Sequence, residues 1–215
     1  MQRGHLIVFE GVDGSGTTTQ ASMLRGRFAG TGLPAHVTAQ PSGGPVGTLI
    51  RQVLSGRLVT IGGKAPGWAT MSLLFAADRQ DLQENEIEPN LREGVNVICD
   101  RYVHSSVIYQ GLSSSSRNVM PWIHEINRHI REPDIVIYLQ VNSEEAMRRR
   151  TARSGRMEIF DDAEFQTKLI EEYDRMEELF SESNILTIDG TLPVEEINDR
   201  VWAEIEKLRA KGAPE

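Results

Sequence analysis

Short apolar runs alternate with longer helical stretches along the chain. Five runs have the length and the β-branched or aliphatic character of buried strands: Leu6–Phe9, Ala35–Ala39, Val95–Cys99, Asp134–Val141 and Asn184–Ile188. Helices are predicted between them over roughly 17–31, 45–56, 67–92, 118–131, 143–152, 162–182 and 193–210. Because such alternation is typical of parallel sheets, the pattern predicts an α/β fold with about five parallel strands flanked by helices on both faces.

The length and the spacing of these elements predict a single domain. At 215 residues the chain has room for one large domain or for a domain with a mobile insertion. We find no internal repeat, long linker or second domain boundary, so one domain over residues 1–215 is expected. The segment Arg148–Arg156 has five arginines and a Ser-Gly pair. It is either a solvated helix end or a phosphate-closing lid, placed around residues 149–160.

Composition and charge exclude several classes of protein. A net charge of −8 argues against a general nucleic-acid-binding surface, which needs clustered positive charge. The chain has no apolar run near the roughly 18 residues of a membrane span, and its first residues do not resemble a secretion signal. We therefore expect a cytoplasmic protein with no membrane or nucleic-acid partner. The single cysteine, Cys99, excludes an internal disulfide and a cysteine-cluster metal site.

A glycine-rich segment follows the first apolar run, with the sequence Gly11-Val-Asp-Gly-Ser-Gly-Thr-Thr18. It fits the phosphate-loop pattern G-x-x-x-x-G-K-[ST] except that Thr17 stands in place of the lysine. The glycines let the backbone approach an anion, so that its N–H groups and the N-terminus of the next helix point at phosphates. The hydroxyl of Thr18 is expected on Mg²⁺. An ordinary glycine-rich turn is the alternative.

The third predicted strand is followed by charged and hydroxyl side chains. Asp100 lies at the strand end, facing the phosphate loop on the neighbouring strand, where a carboxylate can hold Mg²⁺ through its waters. The adjacent Arg101 is placed to bind a second phosphate. A helix cap is the alternative for Asp100.

Three motifs in this order and spacing resemble those of bacterial thymidylate kinases. They are Gly11-Val-Asp-Gly-Ser-Gly16, Leu74-Phe-Ala-Ala-Asp-Arg79 and Asp100-Arg-Tyr-Val-His-Ser-Ser-Val-Ile-Tyr-Gln-Gly111. The resemblance covers nearly the whole chain. It implies the three-layer fold of P-loop nucleoside monophosphate kinases, and transfer of the γ-phosphate of ATP to dTMP, giving dTDP for dTTP synthesis. It also implies Mg²⁺ as cofactor, a homodimer, and ATP bound by Gly11, Val12, Asp13, Gly14, Ser15, Gly16, Thr17 and Thr18.

The resemblance assigns further residues to the acceptor nucleotide. It implies that Asp13 lies near the sugar hydroxyl and phosphate, that Phe75 stacks on thymine, and that Arg79 reads the base edge. Arg51 and Arg101 would hold the dTMP phosphate. The remaining neighbours of the base and sugar would be Ser105, Ser106, Gln110 and Tyr109, the last of which disfavours a 2′-hydroxyl. Core packing is the alternative for the two aromatic residues.

The chain departs from the family pattern in two places. Ala39-Gln40-Pro41 stands where the family usually has Arg-Glu-Pro, and Thr17 stands where it has lysine. In the family, loops without an arginine tend to be accompanied by basic lid residues, and Ser15 is not basic. Arg153 and Arg156 are therefore expected to supply the absent charge, which makes them catalytic residues together with Asp13 and Arg101.

Two other functions stay open at the level of the sequence. One is a kinase for another deoxynucleoside or deoxynucleotide. The other is a catalytically weak nucleotide-binding protein with a regulatory role, which the substitution at Thr17 supports. The retention of Thr18, Asp100 and Arg101 argues against the second.

Overall fold

The computed structural model describes residues 3–114, 117–152 and 162–211, and a parallel sheet lies at its centre. The strands of these residues are β1 (Leu6–Glu10), β2 (Ala35–Ala39), β3 (Asn96–Asp100), β4 (Ile135–Gln140) and β5 (Ile185–Asp189). They lie in the order β2-β3-β1-β4-β5, and every neighbouring pair is parallel. The predicted fold class is confirmed, and each predicted strand agrees to within one residue at both ends.

Helices connect the strands. In chain order, the α-helices of the described residues are α1 (Thr17–Gly30), α2 (Pro45–Leu54), α3 (Trp68–Leu82), α4 (Glu88–Arg92), α5 (Val103–Ser113), α6 (Met120–Ile126), α7 (Ser143–Ala152), α8 (Ala163–Asp174), α9 (Met176–Leu179) and α10 (Val194–Lys211). One π-helical segment, Gln83–Ile87, joins α3 to α4, so that the helix predicted over 67–92 is a nearly continuous helical rod. No helix in the described ranges is long and apolar enough to cross a membrane.

Helix α5 was not predicted. Eight of its eleven residues are buried, from Val103 and His104 through Tyr109 and Gln110 to Gly111. Polar residues of this helix are therefore buried along with apolar ones. The sequence lacks the polar and apolar faces by which an amphipathic helix is predicted. Most of the third motif of the family resemblance, Asp100–Gly111, is thus a buried helix that follows β3.

Two other helix predictions were too long. The stretch 118–131 is helical only over Met120–Ile126, preceded by a 3₁₀ turn. The stretch 162–182 is broken at Arg175, between α8 and α9. The turn at this point allows Tyr173 and Met176 to be fully buried in the same apolar cluster, which a local pattern does not reveal.

The core lies on both faces of the sheet. Successive strand side chains point to opposite faces, so Leu6 and Val8 pack into one apolar cluster while Ile7 and Phe9 pack into the other. Helices α5 and α8 contribute to the first cluster, and α1 and α10 to the second. This arrangement gives the three layers that were expected.

The sheet order places the functional loops together. Strands β1 and β3 are neighbours, and Phe9 pairs with Asp100. Strand β2 lies on the other side of β3, where Ala39 pairs with Asp100. In open parallel sheets, ligands bind beyond the carboxyl ends of the strands. The segments that follow β1, β2 and β3 therefore form one continuous edge.

Candidate active site

The loop after β1 has the backbone geometry of an anion-binding turn. Gly14 and Gly16 have φ angles of 92° and 104°, which L side chains rarely adopt. A Cβ on Gly14 would lie 2.8 Å from the carbonyl oxygen of Ala146, so a larger residue does not fit there. Gly16 is the N-cap of α1 and has no side chain to bond to the first-turn N–H groups. The helix N-terminus is thus left for a ligand.

Thr18 and Asp100 meet at the floor of this loop. The Thr18 hydroxyl donates to Asp100 Oδ2 at 2.5 Å. The other carboxylate oxygen, Oδ1, is buried and has no partner among the described residues. Those residues contain no cluster of three or more acidic, histidine or cysteine side chains for a metal. A Mg²⁺ ion held by one or two protein oxygens, waters and substrate phosphates fits this sparse set of oxygen ligands.

The cleft beside the loop has a volume of about 350 Å³. Its lining includes the whole loop from Val12 to Thr18 and three arginines, Arg101, Arg148 and Arg149. Arg149 also donates to the carbonyl oxygens of Ser15 at 3.3 Å and Gly190 at 2.9 Å, and so ties α7 to the loop. Thr17 is buried in the loop. Arg153 and Arg156 lie outside the described residues.

Arg101 and Asp13 form an ion pair at the centre of the site. Arg101 Nη2 donates to Asp13 Oδ1 at 2.7 Å, while Nη1 donates to the Tyr173 hydroxyl at 3.2 Å and to Ser105 Oγ at 3.3 Å. Arg101 has a φ of 71°, in the left-handed region that a non-glycine residue rarely occupies. Burial alone disfavours the charge of Arg101, but its negatively polarised neighbours outweigh this and raise its pKa. The guanidinium is therefore firmly charged.

Glu10, the last residue of β1, organises the backbone around Arg101. Its carboxylate accepts hydrogen bonds from Tyr102 N at 2.8 Å, from Ser105 Oγ at 2.6 Å and from the Tyr173 hydroxyl at 3.2 Å. Burial raises the pKa of Glu10, against the opposing effects of the Ser105 hydrogen bond and the Arg101 charge. Glu10 thus fixes the start of α5, directly after the turn that holds Arg101.

A second cavity, of about 140 Å³, lies next to the cleft beside the loop. It is lined by Asp13, Gln40, Pro41, Leu54, Phe75, Arg79, Arg101, Tyr102, Ser105, Ser106, Tyr109 and Gln110. Every predicted acceptor residue except Arg51 is in this lining. Asp13 and Arg101 also line the cleft beside the loop, so the two cavities meet at their ion pair.

Arg79 is fully buried in the wall of the second cavity. Its Nε donates to Gln40 Oε1 at 2.8 Å, its Nη1 to Asn127 Oδ1, and its Nη2 to Ser106 Oγ at 2.6 Å and to the Tyr102 carbonyl oxygen at 3.3 Å. Burial lowers the pKa of Arg79, although nearby negative groups oppose the shift. Four of its five N–H groups serve the protein, which gives Arg79 a structural role that the sequence did not predict.

Arg51 lies apart from this cavity. It donates to the carbonyl oxygens of Pro41 at 2.7 Å and of Ser42, and it lines a neighbouring cavity with Thr18 and Asp100. Its guanidinium therefore lies just beyond the end of β2, and Arg51 is not in the lining of the cavity around Phe75.

Sequence reasoning assigned no role in the site to three residues, Glu10, Gln40 and Tyr173. Glu10 and Gln40 stand at the carboxyl ends of strands, where ligands bind in a parallel sheet, but nothing in their spacing indicated which groups they contact. Tyr173 reaches the site from α8 and carries no local signal, because only the packing of α8 against α5 brings it there.

The fold and the two joined cavities define a class of protein, the P-loop kinases of nucleoside monophosphates. The sheet order, the glycine loop at the N-terminus of α1, and a second cavity beside the cleft of that loop are the features of this class.

Comparisons with known proteins narrow the class to one family. The model of the family described as thymidylate kinase matches residues 9–201. A "Probable thymidylate kinase" from Methanococcus vannielii is 43% identical over 173 residues, covering 80% of this chain and 78% of that protein. One from Pyrococcus abyssi is 37% identical over 202 residues, covering 94% and 95%. The chain therefore belongs to the thymidylate kinase family, a family of phosphotransferases.

A solved structure agrees with this assignment at the level of the fold. The thymidylate kinase of Candida albicans superposes with a TM-score of 0.78 at 24% identity, covering 96% of this chain and 93% of that one.

Proposed function

We propose that the protein transfers the γ-phosphate of ATP to dTMP, giving dTDP for dTTP synthesis. The observation that carries this proposal is the junction of the two cavities at Asp13 and Arg101. A donor phosphate bound on the loop and an acceptor phosphate extending from the second cavity would meet there. Phosphoryl transfer needs this alignment and charge neutralisation more than it needs covalent work by the protein.

The donor is proposed to bind through the loop Gly11–Thr18. Its phosphates would accept from the loop N–H groups and from the first turn of α1. Thr18 and Asp100 would hold Mg²⁺, which supplies positive charge to the phosphate oxygens when bound. Arg101 would lie against the transferring phosphoryl group, and Asp13 would keep its guanidinium oriented through their 2.7 Å bond. The attacking dTMP oxygen is already anionic, so no general base is required.

The acceptor is proposed to bind in the second cavity. Phe75 would stack on the thymine ring. The buried guanidinium of Arg79 would lie at the base edge and orient the polar side chains that line the cavity there. Tyr109 would crowd a ribose 2′-hydroxyl and so favour deoxynucleotides. Ser105, Ser106 and Gln110 would surround the base and sugar from α5, and Arg51 would reach the acceptor phosphate from α2.

Lid arginines are proposed to replace the missing loop lysine. The motivation is Thr17, which is neutral and buried, together with the arginine-rich sequence that continues α7. Arg153 and Arg156 would close on the donor phosphates from a lid around residues 149–160. We further propose that residues 1–215 act as one domain in a cytoplasmic homodimer related to the bacterial thymidylate kinases.

One coupled assay tests the function directly. ADP formation is measured with ATP, Mg²⁺ and dTMP, and then with dUMP, dCMP and dGMP in place of dTMP. We expect turnover that depends on dTMP and on Mg²⁺. Turnover with another deoxynucleotide but not with dTMP would favour a kinase for that deoxynucleotide. Nucleotide binding without any ADP formation would favour a regulatory protein.

A further inference from the structure

The loop after β2 is anchored by a buried carboxylate from α3. Its residues, Gln40-Pro-Ser-Gly-Gly44, include two adjacent glycines, whose backbone is costly to order without specific contacts. Asp78 is fully buried; its Oδ2 accepts from Ser42 N at 2.9 Å, and its Oδ1 accepts from Ser42 Oγ at 2.5 Å. Hydrogen bonds to a carboxylate are shorter and stronger than those between neutral groups. Because a buried charge is stable only where such donors converge on it, Asp78 holds Ser42 tightly.

The other polar groups of Ser42 connect this anchor to Arg51. The Ser42 Oγ also accepts from Gly44 N at 3.0 Å, and the Ser42 carbonyl oxygen accepts from Arg51 Nη2. Arg51 Nη1 donates to the preceding carbonyl oxygen, that of Pro41, at 2.7 Å. The backbone of Ser42 is thus bound on one side by Asp78 and on the other by Arg51. A change at the first contact therefore moves the acceptors of the second.

Helix α2 packs closely against these residues. A Cβ on Gly47 would lie 2.2 Å from the Ser42 carbonyl oxygen and 2.8 Å from Asp78 Oδ1. Arg51 is four residues further along α2, and residues at this spacing share one face of a helix. The face of α2 that carries Arg51 is therefore pressed against Ser42 and Asp78, and glycine at position 47 permits this close approach.

Arg51 is oriented by the loop and still has donors for a ligand. Two of the N–H groups of its guanidinium donate to the carbonyl oxygens of Pro41 and Ser42, and an arginine side chain has five. The residue is exposed, and it lines a cavity together with Thr18 and Asp100. A free arginine loses much rotamer freedom when it binds a ligand, whereas one already oriented by the protein loses less. The two carbonyl oxygens therefore favour the binding of an anion by the remaining N–H groups.

We propose that Asp78 is a positioning residue for the acceptor phosphate. Through Ser42 it fixes the loop after β2, and the carbonyl oxygens of that loop orient the guanidinium of Arg51 toward the phosphate. The proposal rests on the proposed function, in which Arg51 contacts the phosphate of dTMP. Asp78 is in the lining of none of the three cavities at this edge of the sheet, so its effect on binding passes through the loop.

The ligands dTMP and thymidine test the proposal, because they differ only in the phosphate that Arg51 would bind. Their dissociation constants are measured by titration calorimetry, without ATP, for the wild type and for Asp78→Asn and Ser42→Ala. We expect the affinity for dTMP to fall about tenfold in both variants, while that for thymidine stays within about twofold of the wild type. In the coupled assay, KM should rise for dTMP and not for ATP. A general loss of structure would not distinguish the two ligands.

Ser42→Ala separates the loop contact from the charge of Asp78. That charge raises the pKa of the buried Arg79, against the effect of burial, and Asp78→Asn removes it. Ser42→Ala leaves the charge in place and removes only the hydroxyl group. It therefore decides the outcome if Asp78→Asn weakens both ligands or does not fold by circular dichroism.

A double-mutant cycle tests whether the effect acts through Arg51. In an Arg51→Ala background, Ser42→Ala should leave the ratio of the dTMP and thymidine affinities unchanged. Asp134→Asn is the matched control, because that carboxylate also accepts from a backbone N–H, that of Leu6 at 2.7 Å, but lies at the amino ends of β1 and β4. It should keep the wild-type ratio.

Three results would overturn the proposal. They are no loss of dTMP affinity in Ser42→Ala, equal losses for dTMP and thymidine in that variant, and a full further loss of dTMP affinity when Ser42→Ala is added to Arg51→Ala. A wild-type protein that binds dTMP without turning it over would instead refute the proposed function, and the affinity ratio would still test the role of Asp78.

Discussion

Replacement of Arg79 by alanine should destabilise the fold as well as weaken acceptor binding. The sequence alone suggested a base-reading arginine, but in the structure its guanidinium donates four hydrogen bonds inside the protein. Two of the acceptors cannot adapt to its loss. Asn127 is held by its own bond from Nδ2 to the Ile123 carbonyl at 2.7 Å, and the Tyr102 carbonyl belongs to the backbone.

The size of the effect follows from these two groups. Each buried acceptor left without a donor costs about 1–3 kcal/mol, so the pair accounts for about 2–6 kcal/mol. Two effects reduce this loss. The variant no longer buries a charged guanidinium, and water that enters the vacated space can donate to the acceptors. We therefore expect Arg79→Ala to lose about 3–4 kcal/mol of unfolding free energy, a large share of the 5–15 kcal/mol typical of a domain. Ser106 and Gln40 contribute less, because a hydroxyl can rotate and an amide can turn.

Urea unfolding at 25 °C measures this loss, with Arg79→Lys as the matched variant. Lysine keeps the charge but lacks the planar fork, so an intermediate loss is expected. At a temperature where Arg79→Ala remains folded, kcat/KM should fall much more for dTMP than for ATP. An unfolding free energy within about 1 kcal/mol of the wild type would refute the network argument. Equal weakening of both substrates would remove Arg79 from the acceptor site.

Three further predictions concern other parts of the molecule. Burial, reinforced by the charge of Arg79, lowers the pKa of His104 to about 3, whereas an unfolded histidine titrates near 6.5. The unfolded state therefore binds the extra proton below pH 6.5, and stability should fall by about 2 kcal/mol between pH 6.5 and 5. In urea titrations, His104→Gln should lose less over this range, and an identical loss would contradict the assignment. Arg153→Ala and Arg156→Ala should include at least one variant that loses turnover on the order of 10³-fold while still binding dTMP. Thr17→Lys should partly restore that variant; full turnover in both arginine variants would refute the lid proposal. Tyr109→Ala should narrow the preference for dTMP over its ribo counterpart, and an unchanged ratio in a folded variant would remove Tyr109 from the sugar site.

The strands and the glycine loop could be predicted because their signals are local. A buried strand such as Ile135–Gln140 is apolar whatever surrounds it, and its length distinguishes it from a helix. The loop requires glycine where φ is positive, so the spacing of its glycines can be recognised in the sequence. Helix α5 lacked such a signal, because burial on all sides removes the amphipathic period.

The sequence by itself determined the fold class, the phosphate loop and, through its motifs, the family. Only the tertiary structure decided which polar groups meet. Glu10 and Ser105 are bonded across 95 residues of chain, and Arg79 and Asn127 across 48. Such contacts depend on strand order and helix packing, because a buried carboxylate or guanidinium is stable only where distant partners converge on it.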